Sequence, residues 1–285
     1  MLPVLLVGDF TLDLVYEDDK FYASAGGSVF NVASVLSNHK TDVRFISRVG
    51  NDLPGKILLS QLKKLGIPQD TILQEDDFKT SLAFCEYNQN GKPSYSFYKE
   101  KKDFLYSDEK LCNIKCSLLH IGSSFAFSQT AFPFVLKLCN IMKERKTPIT
   151  YDVNLRKIPT KIEKERISLL MEKADIIKGS DEDFVFLYGT SDKTFIMNQI
   201  LADFNCRLGI ITYGKDGVFL FSRSGSCFVE QKKILENAKS IGAGDSFMAG
   251  IILFYQKDSS LTDLEELGRF ANSVAVDFLS SNGCV

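Results

Sequence analysis

Short apolar runs alternate along this chain with segments of helical periodicity, and this alternation restricts the fold more than any other feature. Residues 3–8 are a short apolar run, typical of a buried strand, and residues 43–49 also look like a strand. Residues 27–38 and 53–65 carry apolar side chains at helical spacing. Further strands are predicted at 117–121, 149–153, 174–178 and 208–213, and further helices at 129–145, 161–173 and 192–204. Such alternation predicts a mostly parallel sheet with helices on both faces.

Two regions depart from the alternation. Residues 80–87 and 93–99 are strand-like runs joined by the turn-forming segment 88–91, and residues 15–23 also have strand character. A small β layer inserted into an α/β core often covers a ligand site, although an ordinary surface hairpin gives the same pattern. We therefore predict a single α/β domain over residues 1–285, doubly wound, with a small β-sheet lid formed by residues 12–24 and 79–102.

Composition excludes several classes of protein. The chain has 34 Lys and Arg, 36 Asp and Glu and a net charge of −2, with no basic block that would bind nucleic acid. Its apolar runs are far shorter than the roughly 20 residues of a membrane span. The N-terminus has no basic region and reaches Asp9 too early for a signal peptide, so we expect a cytoplasmic protein with reduced cysteines. With only two histidines, its chemistry must depend on carboxylates, glycines and backbone N–H groups.

The segment Gly242-Ala243-Gly244-Asp245 carries the strongest chemical signal. Its small residues allow backbone N–H groups to approach a ligand closely, and the apolar helix that follows favours an anion at its N-terminus. Asp245 would lie beside that anion, where a carboxylate accepts a proton from an attacking hydroxyl. An aspartate near a helix start is also a common cap, so this segment alone does not decide between the two interpretations.

Four other segments are ambiguous when taken singly. Polar residues follow two predicted strands, at the edge where α/β proteins bind ligands, and glycines open a helix and a turn. A solvated turn or a charged helix start explains each of them equally well. The segments are Gly26-Gly27 with Asn31, Asp152-x-Asn154-x-Arg156, Ser180-Asp181-Glu182-Asp183 and Thr212-x-Gly214-x-x-Gly217.

In combination, the order and spacing of these segments resemble the ribokinase-like (PfkB) carbohydrate kinases over nearly the whole chain. The match also includes Gly8 with Asp13, Gly50-Asn51-Asp52 with Gly55, and Ala271-Asn272 with Gly283. The resemblance implies a doubly wound α/β fold with a β-sheet lid, and transfer of a phosphoryl group from ATP to a hydroxyl. Such transfer requires positioning and charge neutralisation more than covalent chemistry.

The resemblance also implies a role for each matching residue. Asp245 would be the base, and Gly242, Ala243 and Gly244 would form the anion hole. Arg156 would reach the transferring phosphate. The sugar hydroxyls would be bound by Asp13, Gly26, Gly27 and Asn31. The nucleotide would be bound by Ser180, Thr212, Gly214, Gly217 and Asn272. Mg²⁺ would be held, mostly through water, by Glu182 and Asp183.

Within the family the chain most resembles the fructokinases. The segment beginning at Ser180 is similar to their S-D-E-E form, and Ser28 stands where several relatives that act on ribose or on sugar phosphates have lysine. A free sugar, with fructose favoured, is the acceptor this implies. The alternatives are a 2-keto-3-deoxy sugar acid, ribose or a nucleoside, or a catalytically dead sugar or nucleotide sensor. A sugar acid would need a further cation, which Lys99, Lys101 or Lys102 would supply.

Two features concern ions and assembly. Lys239 stands where the family has an aspartate of its monovalent-cation site, so we expect no activation by K⁺. The alternative is that Lys239 points to solvent. Relatives often dimerise through the lid, so we expect a homodimer through Phe84, Tyr95 and Phe97, unless these rings cover the active site instead. We expect no nucleic acid or membrane partner.

Overall fold

A computed structural model describes residues 2–87, 93–231 and 241–282. The described residues do not include Lys239, on which the cation-site prediction depends, or Gly283 of the family match. The strands are β1 (Val4–Val7), β2 (Thr11–Glu17), β3 (Lys20–Gly26), β4 (Val43–Gly50), β5 (Ile72–Glu75), β6 (Leu82–Tyr87), β7 (Pro93–Tyr98), β8 (Leu118–Gly122), β9 (Ile149–Asp152), β10 (Ile176–Ser180), β11 (Leu208–Thr212), β12 (Gly217–Ser222) and β13 (Gly225–Glu230). The helices are α1 (Ser28–Asn38), α2 (Leu53–Lys64), α3 (Asp108–Asn113), α4 (Ser123–Phe127), α5 (Phe132–Glu144), α6 (Lys161–Lys173), α7 (Asp181–Tyr188), α8 (Lys193–Asp203), α9 (Ala243–Lys257) and α10 (Leu264–Asn282).

The larger sheet has the strand order β13-β12-β11-β10-β9-β8-β1-β4-β5 among the described residues. The adjacent strands of this sheet that run parallel to one another are β11, β10, β9, β8, β1, β4 and β5. At one edge, β12 pairs antiparallel with β11, and β13 pairs antiparallel with β12. From β1 the chain adds β4 and β5 on one side and later adds β8 to β11 on the other side. This reversal places a topological switch point beside β1, where α/β sheets bind ligands at the carboxyl ends of their strands.

Both faces of this sheet are covered by helices. On β1, Val4 and Leu6 pack into the cluster that contains α1, α2, α9 and α10. The alternate residues Leu5 and Val7 pack into the cluster that contains the helices from α4 to α8. Because successive side chains of a strand point to opposite faces, a run such as Val4–Val7 must be apolar throughout. The predicted doubly wound α/β fold is confirmed.

The smaller sheet has the strand order β3-β2-β6-β7. Its two hairpins, β2–β3 and β6–β7, are antiparallel, and β2 pairs with β6 in parallel. The predicted second sheet is therefore present, with β3 and β2 extending slightly beyond the predicted segment 12–24. Its role as a lid remains a prediction.

Several helices differ from the sequence prediction. We expected the apolar helix after Asp245 to begin near residue 247, but α9 begins at Ala243, so Asp245 lies in its first turn. Gly242, directly before α9, adopts the left-handed conformation with φ 81°, which glycine allows without steric cost. The helices α3, α4, α7 and α10 were not predicted, and α10 packs along α9. None of the helices in the described part of the chain is both long and apolar enough to span a membrane.

Candidate active site

A cavity of about 310 Å³ lies between the carboxyl ends of the central strands, the N-termini of α1 and α9, and β7 of the smaller sheet. Most of the residues predicted to bind ligands line it. They are Asp13, Gly27, Asn31, Arg156, Ser180, Glu182, Asp183, Thr212, Gly242, Gly244 and Asp245. The fold thus brings to one place residues that are far apart in the sequence.

The N-terminus of α9 is suited to bind an anion. No side chain caps it, because Gly242 occupies the capping position, and the N–H groups of the first turn have no partner within the helix. A Cβ on Gly244 would have as its one close neighbour Lys178 Nζ, at 3.4 Å, among the described atoms. The backbone there is open to a ligand on the cavity side, as an oxyanion requires.

Asp245 is held at the edge of this opening by residues of α1. Its side chain is largely buried, with 7% exposed. Ser28 Oγ donates a hydrogen bond to Asp245 Oδ1 over 2.7 Å, and Asn31 Nδ2 donates to Oδ2 over 2.8 Å. Asn154 Nδ2 in turn donates to Ser28 Oγ over 2.8 Å. The carboxylate therefore faces the cavity in a fixed orientation.

Asp13 lies opposite Asp245, on β2. Burial raises the pKa of Asp13 from 3.8 to about 6, against the lowering effect of the Thr11 hydrogen bond and of the nearby Lys99 and Arg156. Thr11 Oγ1 donates to Asp13 Oδ1 over 2.6 Å. Gly26 makes room for this carboxylate, since a Cβ at Gly26 would overlap it. A half-buried acceptor of this kind suits a sugar hydroxyl.

Gly27 has a structural role at the same corner. Its φ is 107°, and a Cβ there would overlap the carbonyl oxygen of Asp9. The glycine therefore permits the entry of the chain into α1 directly behind the cavity. Gly26 does not line the cavity itself, whereas Gly27 does, and the sugar-binding role of both remains a prediction.

A buried ion pair lies beneath the N-terminus of α9. Lys178 Nζ lies 2.7 Å from Asp152 Oδ2, and their side chains are 5% and 1% exposed. Burial raises the pKa of Asp152, although Lys178 lowers it, and Asp152 raises the pKa of Lys178 against the effect of burial. His120 pairs with Thr150 across β8 and β9, two residues before the Gly122–Asp152 pair, and its Nδ1 bonds Thr150 Oγ1. Burial lowers the pKa of His120 to about 3, which keeps it neutral.

The acidic start of α7 is occupied by hydrogen bonds. Asp183 Oδ2 accepts from the N–H and the hydroxyl of Ser180, and Oδ1 accepts from the N–H of Leu155. Asp183 is thus part of a capping box, and its two oxygens are engaged in the protein. The described residues contain no cluster of three or more side chains able to hold a metal ion. Mg²⁺ binding by Glu182 and Asp183 therefore remains a prediction.

The predicted nucleotide residues are only partly brought together. Ser180 and Thr212 line the cavity, as neighbours in the β10–β11 pairing. Gly214 and Gly217 form the turn into β12, with φ 56° and 132°, and do not line it. Asn272 lies on α10 outside it. Ala243 is likewise outside the lining. The roles of these residues remain predictions.

A larger cavity of about 860 Å³ adjoins the first and shares part of its wall. Tyr95, Phe97, Lys99 and Arg156 line both cavities. Lys99 forms an ion pair with Asp9 over 2.5 Å, whereas Arg156 has no ion pair within the described residues and stacks over Tyr95 at 5.7 Å. The shared wall is therefore aromatic and cationic.

Three residues of the site were not assigned from the sequence. Ser28, Asn154 and Lys178 all line the smaller cavity. Asn154 stands inside a motif that we recognised, but only Arg156 was given a role in it. Ser28 was noted only because several relatives have lysine at that position, and Lys178 was not singled out. No local pattern indicates that these two side chains meet Asp245 and Gly244 across the fold.

Comparisons with known proteins agree with this geometry. Residues 4–285 match the sequence profile of the pfkB family of carbohydrate kinases. Fructokinase-1 of Oryza sativa subsp. japonica is 26% identical over 281 residues, which cover 94% of this chain and 86% of that protein. A 5-dehydro-2-deoxygluconokinase of Geobacillus kaustophilus is 26% identical over 304 residues, covering 99% and 89%. A solved structure of fructokinase with bound ATP from Xylella fastidiosa superimposes with a TM-score of 0.83 at 21% identity, covering 96% and 91%. The chain therefore belongs to the pfkB family of carbohydrate kinases.

Proposed function

We propose that this protein transfers the γ-phosphoryl group of ATP to a hydroxyl of a free sugar, with fructose as the favoured acceptor. The observation that supports this best is the position of Asp245 in the first turn of α9, beside N–H groups that no side chain caps. The named fructokinases among the relatives support the choice of acceptor.

In the proposed reaction, Asp245 accepts the proton of the attacking hydroxyl. The N–H groups of Gly242, Ala243 and Gly244 would stabilise the charge on the transferring phosphoryl oxygens, and the dipole of α9 would add to this effect. Asp13 would accept a hydrogen bond from another sugar hydroxyl and so orient the acceptor. Arg156 would approach the phosphoryl group from the shared cavity wall. The new bond joins the sugar oxygen to phosphorus, and ADP leaves with the electron pair of the broken bond.

A panel of free hexoses and pentoses with ATP tests this proposal. We expect ADP formation with at least one of them, with fructose the best, and Asp245→Asn should lower kcat at least about 100-fold because general-base catalysis is lost. Asp258→Asn is the matched control, since Asp258 lies at the other end of α9. No turnover with any sugar, combined with measurable ATP or sugar binding, would favour a sensor instead. Unchanged kcat in Asp245→Asn would remove Asp245 from the role of base.

A sugar acid is the second candidate acceptor. Lys99 and Arg156 both line the cavity close to Asp13, and one relative is named a 5-dehydro-2-deoxygluconokinase. Lys102 is a weaker candidate, because it does not line this cavity. Lys99→Met distinguishes the two acceptors. It should raise KM for 2-keto-3-deoxygluconate far more than KM for fructose if the acid is the physiological acceptor.

We also propose a homodimer through the outer face of the smaller sheet. Tyr95 and Phe97 line the cavity, whereas Phe84 packs on the other face with Phe21 and Tyr98, at ring distances of 5.6 and 5.3 Å. Phe21 and Tyr98 are 56% and 64% exposed, so this outer cluster is suited to pack against a second copy. Sedimentation analysis should show a dimer that Phe21→Ser weakens, and a monomer at all concentrations would contradict the proposal.

A further inference from the structure

Both oxygens of Asp245 are bound by donors from the first turn of α1. Ser28 and Asn31 are three residues apart, so their side chains lie on one face of the helix and reach the same carboxylate. Two donors on two oxygens restrict rotation of the carboxyl group about its last bond. The orientation of the proposed base therefore depends on α1 as well as on α9, which carries it.

The hydroxyl of Ser28 has only one arrangement consistent with its two neighbours. An ionised carboxylate accepts hydrogen bonds but cannot donate them, so the Ser28 O–H must point at Asp245. Ser28 Oγ is then left to accept from Asn154 Nδ2, over 2.8 Å. The three side chains thus form a directed series, in which Asn154 donates to Ser28 and Ser28 donates to Asp245.

Asn154 is itself held in place by an unusual backbone. Its φ is 40°, in the left-handed region that few residues other than glycine adopt. The residues on both sides are anchored, since Val153 N donates to Lys178 O over 2.9 Å and Leu155 N donates to Asp183 Oδ1 over 2.6 Å. Backbone strain of this kind persists where the surrounding structure fixes a side chain in a required direction.

We propose that Ser28 and Asn154 are positioning residues, which hold the Asp245 carboxylate in the orientation that accepts the proton of the acceptor hydroxyl. The inference rests on the proposed function, in which Asp245 is the base. Neither residue contacts the reacting atoms in this scheme. Ser28 acts through Asp245, and Asn154 acts through Ser28. The other charged groups near Asp245 are Asp13 on β2, Asp152 on β9 and Lys178 on β10. A substitution at Ser28 leaves all three of these side chains in the sequence.

The test measures steady-state kinetics with ATP and the best acceptor of the sugar panel, for Ser28→Ala, Ser28→Thr and Asn154→Gly. Glycine is chosen at 154 because it accepts the positive φ and removes only the side chain. Ser28→Ala should lower kcat about 10-fold or more while both KM values change less than about threefold, since only the orientation of the base is lost. Ser28→Thr, which keeps the hydroxyl, should recover most of kcat. The double variant with Asn154→Gly should be no slower than Ser28→Ala alone.

Ser37→Ala is the matched control. Ser37 lies on the same helix, but its hydroxyl bonds Leu65 O, away from the site, and its removal should leave kcat unchanged. A merely structural effect of Ser28 would lower thermal stability or raise both KM values and would not be rescued by threonine. If Asp245→Asn is inactive while Ser28→Ala keeps its kcat, the positioning role is wrong and the proposed function stands. If the wild-type protein turns over no sugar at all, the proposed function and this inference both fail.

Discussion

Asp13→Asn should make the folded protein more stable while weakening acceptor binding. Asp13 is held against Gly26 and bonded by Thr11, and burial raises its pKa from 3.8 to about 6. Since one pKa unit corresponds to about 1.4 kcal/mol, the ionised carboxylate costs the folded state about 2–3 kcal/mol at pH 7.5. Asparagine has the same shape, keeps an oxygen for the Thr11 hydrogen bond and carries no charge.

The sign of the pH dependence follows from the same values. A carboxyl whose pKa is raised on folding adds stability below its unfolded pKa of 3.8, and this contribution is lost as the pH rises through about 6. The stability difference between Asp13→Asn and the wild-type protein should therefore be full at pH 7.5, about half as large at pH 5 and about a fifth as large at pH 4. KM for the acceptor should rise about 10-fold to 100-fold at pH 7.5, because a charge-assisted hydrogen bond is lost.

Urea unfolding at pH 7.5 and at pH 5, with acceptor KM measured in parallel, checks both effects. Asp18→Asn is the matched control: it removes the same charge from the exposed turn between β2 and β3 and should change stability by less than about 0.5 kcal/mol. If Asp13→Asn is no more stable than the wild-type protein at pH 7.5, the reasoning about its burial is wrong. If its stability gain does not depend on pH, the gain does not come from the charge of Asp13.

Three further substitutions test other parts of the site. Lys178→Met should lower the free energy of unfolding by about 3–5 kcal/mol, because it leaves the Asp152 carboxylate buried without its cation. Adding Asp152→Leu should restore the free energy of unfolding but not kcat. Urea unfolding and steady-state kinetics measure these two effects. Gly27→Ala should lower the melting temperature much more than Gly66→Ala, since both have positive φ but only the Gly27 Cβ would meet other atoms. Asp183→Ala should cost about 2–4 kcal/mol through the lost cap and a buried N–H left without an acceptor. An unchanged Mg²⁺ concentration for half-maximal activity in that variant would reject Asp183 as a metal ligand.

Local patterns predicted the regular elements well where local chemistry fixes them. The helix predicted at 161–173 is found at Lys161–Lys173, because Thr160 and Glu163 form a capping box that fixes its start. The start of α9 was misplaced because Gly242, Ala243 and Gly244 read as a loop, and only the left-handed turn at Gly242 allows the helix to begin so early.

The internal order of the site was beyond the reach of sequence patterns. That Asp245 is near a glycine-rich helix start follows from its own segment, but its contact with Ser28 joins two helices more than two hundred residues apart. Lys178 and Asp152 meet because β9 and β10 are neighbours in register, and a single sequence does not state which strands are neighbours. The motifs therefore identified many of the residues that gather at the cavity, whereas tertiary packing decides what each of them touches.

The parallel pairing of β2 with β6 has a consequence for how the molecule folds. The two strands are joined at Leu12 and Leu82, so the small sheet closes a loop that contains α1, β4, α2 and β5. Each hairpin of the small sheet can form locally, but an isolated hairpin is only marginally stable in water. We therefore expect the small sheet to assemble after this part of the core, and to open again without unfolding the core. In an amide exchange experiment, β2, β3, β6 and β7 would then exchange as one unit, well before β1 and β8.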